Sequence, residues 1–179
     1  MGEHTKGRQL YIQKLADDLE GLPDFDDHDI KPWFEAGIIF ESWARGWYQF
    51  ERGVDVGETG FVVHDDHPRL GCSPDGLVGE DGLLEIKYRH NLRTFDQAVE
   101  KGPTREMAQV QCQLYVTGRK WCDYVNYWRG ESEGEERGHI LRVYPDKGYI
   151  EETLLPGVLG FWGDVQAELR ARKQQRRVS

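Results

Sequence analysis

The segment Gly71-Cys72-Ser73-Pro74-Asp75-Gly76-Leu77-Val78-Gly79-Glu80-Asp81-Gly82-Leu83-Leu84-Glu85-Ile86-Lys87 constrains the fold of this chain more than any other. Apolar residues on either side of a Glu-Asp-Gly turn read as strand, turn, strand. Residues two apart on a strand share a face. Glu85 and Lys87 therefore project together, while Ile86 turns into the core. Asp75, which opens the first strand after a Ser-Pro turn, brings another acid to the same end of the hairpin. An Asp-Glu-Lys cluster of this kind can hold a hard divalent cation and activate a water beside it.

Elements before and after this hairpin can be read from periodicity. Leu10, Ile12, Leu15, Ala16 and Leu19 recur at nearly helical spacing over Arg8 to Leu19. Gly21-Leu22-Pro23 ends that helix and an acidic loop follows from Asp24 to Asp29. A second helix is expected from near Pro32 to about Arg52. Its aromatics, Trp33, Phe34, Phe40, Trp43, Trp47, Tyr48 and Phe50, suggest a heavily buried element. Phe61 to His64 reads as a strand. Thr104 to Thr117 is helical in pattern, with Pro103 near its start and Gly118 at its end. Trp121 to Trp128 alternates as a strand does, Gly130 to Gly138 is a polar loop, and His139 to Tyr144 is the expected hairpin partner. From Tyr149 a long helix, interrupted near Pro156 and Gly160, closes the chain. The order predicts one α/β domain over residues 1–179, with a central mixed sheet flanked by helices.

Bulk properties narrow the class. The chain has 179 residues, 38% hydrophobic and 31% charged, enough for a domain with a real core. It shows no apolar run long enough for a membrane span and no signal-peptide pattern near Met1 to Lys14. Cys72, Cys112 and Cys122 are odd in number and make no CxxC pair, which argues against a disulfide framework or a zinc knuckle and favours a reducing, intracellular setting. The net charge of −9 runs against the basic footprint expected of a nucleic-acid protein, although net charge does not describe its distribution. Arg170 to Arg177 is a local basic run. It suits either a helix end complementing its dipole or a nucleic-acid-contacting tail.

Glu41 on the second helix joins Asp75, Glu85 and Lys87 as a candidate site residue. Mg²⁺ requires octahedral oxygen coordination and keeps several waters, so carboxylates of Glu41, Asp75 and Glu85 with the Ile86 carbonyl suit it. Lys87 can position the attacking water, act as a general base, or stabilise a crowded phosphorus electrostatically. On the helix that ends at Thr117, Gln109 and Gln113 share a face and Gln111 lies away from them, so one face is expected to meet a polar site. His64-x-x-His67 has three readings: surface groups, an accessory contact to phosphate through His64, or a transition-metal site. Trp121 and Trp128 can either pack on the sheet or stack bases.

These residues carry a resemblance. Gly37-Ile38-Ile39-Phe40-Glu41, the strand Phe61 to His64, Ser73-Pro74-Asp75-Gly76, Leu84-Glu85-Ile86-Lys87 and Ala108-Gln109-Val110-Gln111 followed by Leu114-Tyr115-Val116-Thr117-Gly118 are similar to motifs of the PD-(D/E)xK nuclease superfamily. Within it they resemble the YqaJ-like viral recombinase group, which includes the phage lambda-type alkaline exonuclease; the likeness runs from about Tyr11 to about Tyr127.

The resemblance implies a restriction-endonuclease-like core. It implies a metal site at Glu41, Asp75, Glu85 and Ile86, catalysis by Asp75, Glu85 and Lys87, and Gln109 as partner to the water or the lysine. The cofactor would be Mg²⁺, with Mn²⁺ as substitute. The implied activity is 5′-to-3′ digestion of one strand of linear double-stranded DNA for phage-type recombination. A ring-shaped homotrimer and a single-strand annealing protein are the implied partners, in the cytoplasm of a bacterial cell carrying a phage or prophage. Alternatives are a structure-specific or repair endonuclease of the same superfamily, or a non-catalytic DNA-binding protein. Two positions depart from the family pattern. In the family an arginine in a Ser/Thr-Arg segment grips the terminal 5′ phosphate. Here either Arg8 substitutes for it or the segment is absent, which leaves a preference for a 5′ phosphate open, and Tyr88-Arg89-His90 replaces a frequent Cys-Pro.

Overall fold

A computed structural model describes residues 5–21, 32–132 and 134–178. The acidic loop Asp24–Asp29 lies outside the described residues, as do the side chains of Trp33 and Phe34. The chain divides into two compact units, Ile30–Ile150 and Met1–Asp29 with Glu151–Ser179.

Unit Ile30–Ile150 holds the sheet. Its elements are α2 (Pro32–Arg52), β1 (Val56–Gly57), β2 (Val62–Val63), β3 (Gly71–Cys72), β4 (Gly76–Val78), β5 (Gly82–Tyr88), α3 (Leu92–Lys101), α4 (Met107–Thr117), β6 (Trp121–Arg129), β7 (Glu136–Val143) and the short α5 (Lys147–Tyr149). Five strands form one mixed sheet in the order β1-β4-β5-β6-β7, while β2 and β3 pair separately. Only β5 and β6 run parallel; the other neighbours are antiparallel. Parallel neighbours need a long crossover, and α3 and α4 supply it.

The alternation in β5 sorts the core onto two faces. Leu84 and Ile86 pack with Val78, Val125 and Tyr127 against Ala44 and Tyr48 of α2. Leu83 packs with Cys122, Tyr124 and Val143 against Val110 and Leu114 of α4. Each fully buried aliphatic side chain contributes about 1.5–3 kcal/mol, so this layering holds β5 in one register. A slip by one residue would send Glu85 into the α2 face.

A polar network ties the layers together. Asp123, fully buried on β6, accepts hydrogen bonds from the Tyr48 hydroxyl at 2.8 Å and from Arg142 at 2.7 and 2.9 Å. Arg142 also lies over the Trp121 ring, 3.7 Å from its centroid. Trp121 thus packs on the sheet, the first of its two expected roles.

Several elements depart from the periodicity reading. Helix α4 starts at Met107 rather than Thr104, because residues 103–106 form a turn. Strand β7 starts at Glu136, so the loop after β6 is shorter than Gly130–Gly138. Helix α2 is less buried than its aromatics suggest: Tyr48 is in the core, but Trp43 is 41% and Phe50 85% exposed.

Unit Met1–Asp29 with Glu151–Ser179 pairs α1 (Lys6–Leu19) with α6 (Leu155–Val178). The Thr5 hydroxyl caps α1 by accepting from the Arg8 N–H at 3.4 Å. Tyr11 stacks on Phe161, and Arg172 reaches Asp17 at 2.5 Å and Glu168 at 2.8 Å. Helix α6 is unbroken at Pro156 and Gly160. The perturbation expected of proline coincides instead with a π-helical stretch, Ile150–Leu154, just before it.

Candidate active site

The hairpin β4–β5 builds the centre. Val78 pairs with Gly82, leaving Gly79-Glu80-Asp81 as the loop, and Gly79 takes a left-handed φ of 56° that a side chain would strain. In the same register Gly76 faces Leu84, which puts Asp75 across from Glu85. Gly76 is required by space as well: a Cβ there would come within 2.3 Å of Val56 Cγ1. The Ile86 N–H donates to Asp75 Oδ2 at 2.6 Å, tying the aspartate to β5.

Glu85 is the hub. It is 1% exposed, and an ionised carboxylate at that depth must be fully partnered. Its Oε1 meets Lys87 Nζ at 2.6 Å and accepts from Gln109 Nε2 at 2.8 Å. Its Oε2 accepts from Gln113 Nε2 at 2.6 Å. Lys87 also donates to Gln109 Oε1 at 3.2 Å, so lysine, glutamine and glutamate close a triangle. Helix α4 supplies both glutamines one turn apart. The intervening Gln111 points elsewhere and joins α4 to the segment after β7, through Tyr144 O and Asp146 N.

Asp75 is under electrostatic pressure. Burial is the largest cause, followed by the charge of Glu85 and then that of Glu41, and together they push its carboxyl up to about 7. The Ile86 N–H and Lys87 pull the other way without cancelling the rise. Glu85 and Glu41 thus both act on Asp75 with negative charge, and Lys87 opposes them.

Glu41 takes a different position. Its carboxylate is engaged by Arg45 Nη2 at 2.6 Å, and that guanidinium also donates to the Asp75 carbonyl at 3.0 and 3.2 Å and to Glu58 at 2.8 Å. Arg45 escaped the sequence reading because a Glu-x-x-x-Arg pair looks like an ordinary solvent-facing helix contact. Gln113 was placed on the right face but given no role.

Among the described residues, no three His, Cys, Asp or Glu side chains form a ready-made metal cage. The donor chemistry nevertheless fits a divalent cation. Asp75, just before β4, lies across from Glu85 of β5, and a hard cation would offset both the burial and the neighbouring negative charge that raise the Asp75 pKa. The Arg45 contact uses Oε1 of Glu41, and a carboxylate can accept at both oxygens.

The remaining candidates have partners of their own. His64 Nδ1 accepts from the N–H groups of Asp66 and His67, and both imidazoles stack on Tyr115. Arg8 belongs to the α1–α6 unit, where it pairs with Asp164 at 2.6 Å and lies over Phe161. In the C-terminal basic run, Arg172 and Arg176 are engaged by Glu20. Cys72, Cys112 and Cys122 are free.

Residues 2–120 match the model of the YqaJ-like viral recombinase domain. The chain belongs to that family. An alkaline exonuclease from Laribacter hongkongensis has the same fold: TM-score 0.81, 30% identity, covering 99% of this chain and 88% of that one. The same enzyme in complex with dAMP superposes with a TM-score of 0.79, over 97% of this chain and 88% of that one, at 30% identity. A phage-related exonuclease from Haemophilus somnus 129PT shares the fold at 13% identity and TM-score 0.67, covering 92% and 85% of the two chains. Uncharacterized protein R354 of Acanthamoeba polyphaga mimivirus is 31% identical over 103 residues, 50% of this chain and 19% of that protein. The chain therefore spans about a fifth of that viral relative. This YqaJ-family chain has the fold of an alkaline exonuclease. Among its described residues no helix is long and apolar enough to cross a membrane.

Proposed function

We propose that this chain is a Mg²⁺-dependent deoxyribonuclease that digests one strand of linear double-stranded DNA from the 5′ end. The observation that carries the proposal is the triangle of Glu85, Lys87 and Gln109 beside a crowded Asp75. Glu41, Asp75, Glu85 and the Ile86 carbonyl would hold the cation, with Mn²⁺ as substitute. Such a cation acidifies a water and offsets charge growing on a phosphoryl oxygen.

The rest of the work falls to the chain's own groups. Lys87, 26% exposed where Glu85 is 1%, reaches from the buried carboxylate toward solvent. Its ammonium faces the incoming phosphate and stabilises the added negative charge. Glu85 and Gln109 fix its direction, so little reorganisation is needed when substrate arrives. Contacts of this kind to phosphate carry no sequence information, so cutting is independent of base sequence.

The family likeness supports two further parts of the reading, a ring-shaped homotrimer and a single-strand annealing partner in the cytoplasm of a phage-carrying bacterium. Mass in solution tests the trimer. The activity is tested with linear duplex labelled at either 5′ or 3′ ends and with closed circular duplex, each with Mg²⁺ or with EDTA. Mg²⁺-dependent release of 5′ label from linear DNA, with circles untouched, is expected. Cutting of circles would replace the exonuclease with an endonuclease of the same superfamily, and equal cutting in EDTA would remove the metal.

A further inference from the structure

We infer that Gln113 is a positioning residue for the cation site: by holding Glu85 Oε2 it determines which part of that carboxylate is left for the cation. The inference rests on the proposed function for the cation, and on geometry for the residue.

An ionised carboxylate offers about four lone-pair directions. At Glu85 Oε1, Lys87 and Gln109 take both. At Oε2, Gln113 Nε2 takes one at 2.6 Å, so the direction that remains lies on Oε2. Glu85 is thus gripped from one helix by two glutamines, one on each oxygen. The Gln109 side of the grip also touches Lys87; the Gln113 side touches only the carboxylate that would face the cation.

A merely space-filling role explains Gln113 badly. It is 1% exposed, and its Oε1 has no hydrogen-bond partner among the described residues. A leucine or methionine would fill the same volume without stranding a buried acceptor. Rotating the amide does not help, because it would place Oε1 against the Glu85 carboxylate. The bond that compensates the glutamine is the one to Glu85. Groups that orient a metal ligand in this way change metal affinity by about 10–100-fold when removed.

The test is direct Mn²⁺ binding, read without substrate from the loss of the free-ion electron paramagnetic resonance signal. It compares the unsubstituted protein, Gln113→Leu and Gln113→His, whose Nε2 can reach about as far as the amide nitrogen. Circular dichroism establishes that each variant is folded. Binding weakened at least about tenfold in Gln113→Leu and largely recovered in Gln113→His is the expected result; a structural role would not give that recovery. Nuclease assays should show the same split, with the Mg²⁺ requirement raised and the rate at saturating Mg²⁺ little changed. If Gln113→Leu does not fold, Gln113→His alone decides: binding within about threefold of the unsubstituted protein supports the inference, and binding as weak as that of Glu85→Gln overturns it. Unchanged affinity in Gln113→Leu overturns the inference alone. No Mn²⁺ binding by the unsubstituted protein overturns the cation site on which it depends.

Discussion

The two faces of strand β5 make an instructive contrast. Facing α2, Leu84 and Ile86 are packed among apolar side chains and contribute by burial. Facing α4, Glu85 is just as deep, yet it is held by two amides and an ammonium. A hydrophobic face tolerates exchange of shape, because its attraction is non-directional. A buried carboxylate tolerates little, because its charge needs donors placed in the right directions. The α2 face therefore fixes the register of β5, and the α4 face is the one that the proposed function uses to aim the chemistry.

Separate damage to each face should break the comparison if it is wrong. The largest effect is expected for Glu85→Gln. Its shape is kept and its charge is lost, so the turnover rate should fall by about 10²–10⁴ while denaturant unfolding shows a retained fold. Next comes Leu84→Ala, where the side chain is fully buried. Chemical denaturation should show a loss of about 2–5 kcal/mol, with the rate per folded molecule nearly unchanged. A large rate loss in Leu84→Ala would mean that the two faces are not separable.

Metal addition sharpens the contrast from the other side. Mg²⁺ at a hundred times its dissociation constant should stabilise the native protein by about 2.7 kcal/mol, read as a rise in midpoint temperature. Asp75→Asn should abolish most of that rise, since it removes a ligand together with the crowding that favours a cation; Leu84→Ala should preserve it. The smallest effect belongs to a pair outside both faces. Lys120 meets Asp81 at 2.9 Å with 72% of its side chain exposed, and Lys120→Ala should change stability by less than about 0.5 kcal/mol and leave the rate alone.

What could be read from the sequence follows the same physics. Glu85 and Lys87 were legible as neighbours because a strand has period two, and Ile86 between them had to turn inward. Gln109 and Gln113 were legible as one face because they are a turn apart. Helix α3 was open to the same reasoning, since Leu92, Phe95 and Val99 recur at helical spacing; its start is set by the side chains of Asn91 and Thr94, each capping the other's backbone. Strands β1 and β3 are two residues each, too short for any alternation to show. Arg45 was missed because its importance lies in a contact to the Asp75 carbonyl, thirty residues along the chain. No local pattern encodes such a contact. The expected break in α6 failed because a π-helical stretch precedes Pro156.

The central claim is that Asp75 and Glu85 share one divalent cation beside Lys87. A crystal grown with Mn²⁺ and measured at an energy where manganese scatters anomalously tests it most directly. An anomalous peak bridging the Asp75 and Glu85 carboxylates is the predicted result. A protein that digests DNA with Mn²⁺ yet shows its anomalous peak away from both side chains would contradict the account.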